Sequence, residues 1–401
     1  MGANLASSFP LAIAERAHGA WEIVPEPEQF ARNSSCIFAC HRTLLAGIPR
    51  ADYAGRGRWW SAMGFDGELQ DWRTRALEFE RALNGCVLGL APAIRLLLIA
   101  ILARGHVLLE GNVGVGKTTL LRAAARGLGG AYERVEGTID LMPQDLVYHT
   151  FIDRDGKPRV DPGPLIAHGA ALSVFFFNEI NRARPQVHSL LLRAMAERSL
   201  SAFNTEYRFP YLQVFADRNR VEKEETYELP GAARDRFLME IEIAPDASSA
   251  IHRNLMFDSR FHDVDALIAG VTAGVLDHET LPAIAAKIQA GVRTGPAVEE
   301  FVDHLRLATH RPADYAIALD GVDMEDFIVA GASPRGMSML VRAAKVAAWL
   351  AGRSDLSPED LRGVFHEVIA HRIFFTPIHE LQRARLGRDL TSAVLRAVPV
   401  P

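Results

Sequence analysis

Cysteine is scarce: Cys36, Cys40 and Cys86 are the only three in 401 residues, too few to staple a fold with disulfides. That usage fits a reducing compartment, and the protein is expected in the cytoplasm. An excess of basic charge is missing as well. With a formal net charge of -5, the chain carries no positive field of the kind that holds nucleic acid, so nucleic acid is not expected as a partner. Long apolar runs are also lacking. The longest, from Leu96 to Ala103, is bracketed by Arg95 and Arg104 and falls short of the roughly 20 residues a membrane-spanning helix needs. It reads as a core helix. The first residues, Met1 to Ser7, do not show the basic-then-apolar order of an export signal. Neither a fixed-period repeat nor a low-complexity tract is visible. What is present is ordinary globular composition, 49% hydrophobic and 23% charged, in a chain long enough for two or three domains.

The strongest positive signal is Gly111-Asn112-Val113-Gly114-Val115-Gly116-Lys117-Thr118, a complete G-x-x-x-x-G-K-[ST] loop. It follows the apolar run His106 to Glu110 and precedes the helical run Thr119 to Arg126, which is the strand-loop-helix setting such a loop requires. Glycines allow backbone N–H groups to turn inward around a phosphate, and the helix N-terminus adds its positive end. Lys117 supplies a mobile charge for the β- and γ-phosphates, and the Thr118 hydroxyl a magnesium ligand. The expected nucleotide contacts therefore run from Gly111 through Thr119.

Downstream, strand-like runs alternate with helical ones between Leu83 and Ala244: Val107–Leu109, Tyr132–Val135, Leu172–Phe177, Leu212–Ala216 and Phe237–Ile243. This is an α/β pattern. After Pro245 the strand signal stops and a helical domain is expected over 245–401, with one start marked by Ser357-Pro358-Glu359-Asp360. Residues 1–82 form an amino-terminal extension whose tryptophans, Trp21, Trp59, Trp60 and Trp72, are expected to pack on the rest.

A second piece of a phosphate site lies at Ser173 to Glu179, a buried strand ending in polar groups. In such a segment the first terminal acid supports magnesium and the second, here Glu179, polarises the attacking water. The first position is Asn178, which keeps an acceptor oxygen but lacks the charge. Slow hydrolysis is expected, with Asn178→Asp raising it.

With the loop, the Asn178-Glu179-Ile180-Asn181-Arg182-Ala183 run, Asp161 to Leu165, Leu191 to Arg198, Asp235 to Leu238 and Gly331 to Arg335 in order, the chain resembles the MoxR family of AAA+ ATPases from about Gly85 onward. The resemblance implies an AAA+ P-loop core with a parallel sheet, then an all-α lid, with ATP and magnesium as cofactors. It implies sensor 1 at Asn219, an arginine finger at Arg236 that reaches the neighbouring subunit's nucleotide, and sensor 2 at Arg335 acting within its own subunit. A hexameric ring follows from that finger. Chaperone-like activation of a client metalloenzyme, with a von Willebrand factor A-type adaptor, is the implied role. Residues 201–209 resemble a hairpin that precedes sensor 1, and 142–158 an insertion with a tip at 153–157; in relatives such hairpins face a pore, and a plain surface hairpin is the other reading. The chain departs from the family at Asn178 and at Asp217-Arg218-Asn219-Arg220.

Other readings stand beside this one. A nucleotide-gated scaffold with little turnover would suit Asn178, and a magnesium chelatase-like motor subunit would share the ATP site. Cys36, Cys40 and His41 lack a fourth ligand and read as unliganded rather than as a zinc site. The run Glu222 to Glu225 reads as a solvated face.

Overall fold

In the computed structural model the described residues are 65–401, apart from Val113, 220–226, 245–247 and Glu325, together with an antiparallel hairpin of β1 (Ala12–Glu15) and β2 (Trp21–Val24). That hairpin belongs to a first unit, Met1–Gly64, and everything below concerns the second, Phe65–Pro401. Trp59, Trp60, Cys36, Cys40, His41 and the 222–225 run lie outside the described residues.

The second unit starts with α1 (Gly67–Cys86), capped by Asp66, whose side chain accepts the Leu69 N–H at 2.8 Å. Leu69, Trp72, Ala76, Phe79 and Leu83 recur at three- and four-residue spacing and form its buried face. Phe79 packs so tightly on the next layer that a Cβ at Gly127 would lie 2.1 Å from its ring. The boundary at 82/83 expected from the sequence therefore falls inside a helix. Trp72 belongs to the main unit, and the change in composition near Leu83 marks no break in the structure. α2 (Ala91–Leu102), apolar on nearly every side, is buried from Leu97 through Leu102.

The core runs β3 (His106–Glu110), α3 (Lys117–Leu128), β4 (Ala131–Glu136), α4 (Pro143–Val147), β5 (Tyr148–Ile152), β6 (Pro158–Pro162), β7 (Leu172–Asn178), α5 (Pro185–Glu197), β8 (Ser199–Ala202), β9 (Thr205–Arg208), β10 (Gln213–Arg218), α6 (Gly231–Arg234) and β11 (Phe237–Glu242). Five strands form one parallel sheet in the order β11-β3-β10-β7-β4. The three central strands are buried along their whole length, as near-continuous Val, Leu and Phe runs require when both faces are covered. Alternation sorts the faces: Val174 and Phe176 join one apolar cluster with α1, α2 and α3, while Phe175 and Phe177 join the other with α5. Each buried Phe contributes about 2–3 kcal/mol of burial.

β5–β6 and β8–β9 are antiparallel hairpins outside the sheet. The turn of the first closes through the Asp153 N–H to the Lys157 carbonyl, and that of the second places Phe203 and Asn204 at positive φ. Tyr148 and Phe203 meet edge to face at 5.0 Å, so the two hairpins lie together.

The remainder comprises α7 (Ser249–Phe257), α8 (Val264–Ala269), α9 (Leu281–Gly291), α10 (Pro296–His310), β12 (Ile328–Ala330), α11 (Pro334–Leu350), α12 (Pro358–Ile369), β13 (Phe374–Phe375), α13 (Pro377–Glu380) and α14 (Arg383–Ala397). Ser357 and Asp360 form the capping box of α12. An all-α lid was expected; the lid is helical except for β12 and β13, an antiparallel pair too short to show a period in sequence. Lid and core are tied by the Arg73 Nε–H donating to the Leu350 carbonyl at 2.9 Å and by a Lys287–Glu68 ion pair. Among the described residues, no helix is long and apolar enough to cross a membrane.

Candidate functional site

The ends of β3, β7 and β10 come together at one edge of the sheet, where a doubly wound fold opens a crevice for ligands. The loop leaving β3 turns through Gly114 at φ 80° and Gly116 at φ 85°, values that a side chain would strain. Gly111 needs its lack of a Cβ for another reason: an added atom would lie 2.6 Å from the Ile243 carbonyl. Val113 is outside the described residues, and Asn112 is exposed at the loop's start. Gly116 caps α3, so the helix N-terminus opens into the cleft.

Gly114, Val115, Gly116, Lys117, Thr118 and Thr119 line a cleft of about 320 Å³ together with Asn178, Glu179, Asp217 and Asn219. Lys117 is buried; its Nζ donates to the Gly111 carbonyl at 2.7 Å and lies 3.3 Å from an Asp217 carboxylate oxygen. Glu179 sits just past β7 at φ 51°, a left-handed conformation that turns its carboxylate into the cleft, and that carboxylate accepts from Arg182 at 2.9 Å. Asn219 is buried at the end of β10.

Asp217 is the residue that sequence reading leaves without a role. It is 2% exposed and takes the Glu179 backbone N–H at 2.6 Å. With its amide nitrogen turned toward the carboxylate, Asn178 donates to both Asp217 oxygens, at 3.1 and 3.3 Å. Burial pushes the Asp217 carboxyl up from its usual range, against the Glu179 N–H and Lys117, which favour the charged form. The signal was an acid two residues before Asn219 at a strand end. Only the pairing of β10 with both β3 and β7 gives that acid its neighbours.

Arg236 and Arg335 are elsewhere. They line a second cleft, of about 180 Å³, with Arg104, Arg198 and Arg342, beside Gly105, His106 and Leu238 at the N-terminal ends of β3 and β11. β3 separates this cleft from the phosphate loop by about 13 Å of extended chain. Arg335 was expected at the phosphates of its own subunit; its guanidinium instead pairs with Asp235 at 3.4 Å, next to Arg236. The lid helix α11 starts at Pro334, beside β11's first residues, and this places Arg335 at the wrong end of the sheet to serve its own loop. The Arg236 guanidinium donates to the Ala232 carbonyl at 2.7 Å.

Residues 106–239 match the model of the ATPase family associated with various cellular activities, and 324–389 match the AAA lid domain. Protein MoxR of Methylorubrum extorquens is 61% identical over 336 residues, covering 84% of this chain and 98% of that one. Protein MoxR of Paracoccus denitrificans is 56% identical over the same length, covering 84% and 99%. Chaperone MoxR1 of Mycobacterium tuberculosis is 31% identical over 293 residues, covering 72% and 73%. A crystal structure of a protein from Cytophaga hutchinsonii assigned as an ATPase superposes with a TM-score of 0.69 at 27% identity, covering 83% of this chain and 97% of that one. A parallel sheet carrying a phosphate loop, a helical lid and identities of this size lead to one assignment: the chain belongs to the MoxR family of AAA+ ATPases.

Proposed function

We infer that the protein binds and hydrolyses ATP at an interface between subunits and uses the cycle to act, chaperone-like, on a client enzyme. The observation that carries this reading is the convergence of Lys117, Thr118, Glu179 and Asn219 on one cleft, with Arg236 and Arg335 facing away from it in another. Lys117 and the loop N–H groups bind the triphosphate, Glu179 accepts a proton from the attacking water, and Asn219 orients that water or the γ-phosphate. Magnesium, when bound, would neutralise phosphate charge; the Thr118 hydroxyl and the Asn178 side-chain oxygen are the groups expected from the sequence to hold it. Arg236 supplies transition-state charge to a neighbouring copy, and its grouping with Arg335 supports the same trans role for both. Such an arrangement closes into a ring, for which a hexamer is proposed.

The paired hairpins carry exposed Phe151, Ile152, Val160 and Phe203, an apolar surface suited to gripping a client chain. That the client is a metalloenzyme, reached through a von Willebrand factor A-type adaptor, rests on the resemblance to relatives, and a cytoplasmic setting rests on the scarcity of cysteine. Asn178 favours a second reading, a nucleotide-gated scaffold with little turnover. Glu179→Gln separates them: for an ATPase it keeps ATP binding and lowers hydrolysis at least about a hundredfold. A wild-type rate no higher than the variant's would leave the scaffold.

A further inference from the structure

Position 178, where a magnesium-dependent phosphate site carries its acid, is Asn, while the strand beside it carries a carboxylate, Asp217, as its penultimate residue. We propose that Asp217 is the carboxylate of the magnesium site, holding from β10 the charge that β7 lacks. This deepens the nucleotide reading above and rests on it.

The two strands are parallel neighbours with Ala216 opposite Phe177, so residues 217 and 178 stand side by side at the mouth of the cleft. The Asn178 amide donates to the Asp217 carboxylate at 3.1 Å, in the orientation that satisfies both groups. Two carboxylates at that separation would repel each other, and one would be driven to hold a proton. One acid and one amide therefore form a matched pair, and only the position of the charge is exchanged. Asp217 is buried, and a buried carboxylate needs a counter-charge, at present Lys117 at 3.3 Å. When Lys117 turns to a triphosphate, that counter-charge is withdrawn. Asp217 and the Thr118 hydroxyl, which line the same cleft, would then hold a divalent cation supplying the missing charge, and they are the hard oxygen donors that magnesium takes beside phosphate.

A different role for Asp217 would be to brace the turn at Glu179, whose N–H it accepts at 2.6 Å. Asp217→Asn distinguishes the two roles, because it keeps size and an acceptor for that N–H and removes only the charge. The test is calorimetric ATP binding in EDTA and in magnesium, together with electron paramagnetic resonance of manganese added with ADP. For Asp217→Asn, ATP binding in EDTA is expected to be as tight as in the wild type or tighter, since Lys117 is no longer shared. Its manganese affinity and its magnesium enhancement are expected to fall at least about tenfold. Asn178→Asp/Asp217→Asn restores both. Asn178→Asp alone, expected from the sequence to speed hydrolysis, crowds two acids and stays below the double variant. Unchanged manganese affinity in Asp217→Asn, loss of its ATP binding in EDTA, or a double variant no better than the single one overturns the proposal. A wild-type protein that binds ATP in neither buffer removes the nucleotide reading itself.

Discussion

His106 begins β3 with its ring closed between two backbone groups: Nδ1 accepts the Val214 N–H at 2.9 Å, and Nε2 faces the Met195 carbonyl at 3.3 Å. Only the neutral tautomer with a proton on Nε2 satisfies both. Burial, with the Arg342 guanidinium adding to it, lowers the ring's pKa from 6.5 to about 4. The folded value is the lower one, so between about pH 4 and 6.5 the unfolded chain binds more protons, and stability rises with pH. The contribution, roughly 3 kcal/mol, is complete above pH 6.5 and is lost as pH falls toward 4. His106→Gln, which keeps a donor and an acceptor, is expected to flatten the pH dependence of urea unfolding in that window by close to one proton. An unchanged slope would assign the acid sensitivity to His188 and His371, which burial also lowers.

Between β11 and the lid, one carboxylate joins two lid arginines. Asp235, just before the strand, pairs with Arg372 at 3.2 Å and Arg335 at 3.4 Å. Arg372 is almost wholly buried, and desolvation pulls its pKa down to about 10. It also donates to the carbonyls of Asp235 and Leu238, both at 3.2 Å, so the turn after α12 is clasped to the start of β11. Removing one member of a buried ion pair costs far more than an exposed pair is worth, because the other charge is stranded. Asp235→Ala is expected to lower stability by about 3–5 kcal/mol in denaturant titration, whereas Arg335→Ala, on the exposed side of the same carboxylate, is expected to cost under about 1 kcal/mol. Equal costs would mean that the clasp does not depend on Asp235.

For the proposed ring, the position of Arg335 beside Arg236, away from its own phosphate loop, argues that it serves a neighbouring subunit. Coexpression of Lys117→Ala and Arg335→Ala chains tests this. Each variant alone is expected to be inactive, and the mixture to regain hydrolysis, since an Arg335→Ala subunit's intact loop meets the intact Arg335 of its neighbour. If Arg335 acted within its own subunit, no interface in the mixture would hold both groups, and the mixture would stay as inactive as its parents.

Features built from neighbours in the chain were legible in the sequence. The phosphate loop, the five strands of the sheet, the capped start of α12 and the hairpin turns each depend on spacing over a few residues, because backbone conformation and strand or helix period are local properties. The boundary at 82/83 was misplaced because composition changes inside α1, whose buried stripe is complete only when α3 and the lid helices pack against it. Asp217 and Asn178 are separated in sequence by two hairpin strands and a helix. Their exchange of charge exists only because parallel pairing sets β10 between β3 and β7. The placing of Arg335 beside Arg236 was likewise decided by tertiary structure, since the end of the sheet at which a lid helix docks follows from packing and a buried ion pair, and no local pattern encodes it.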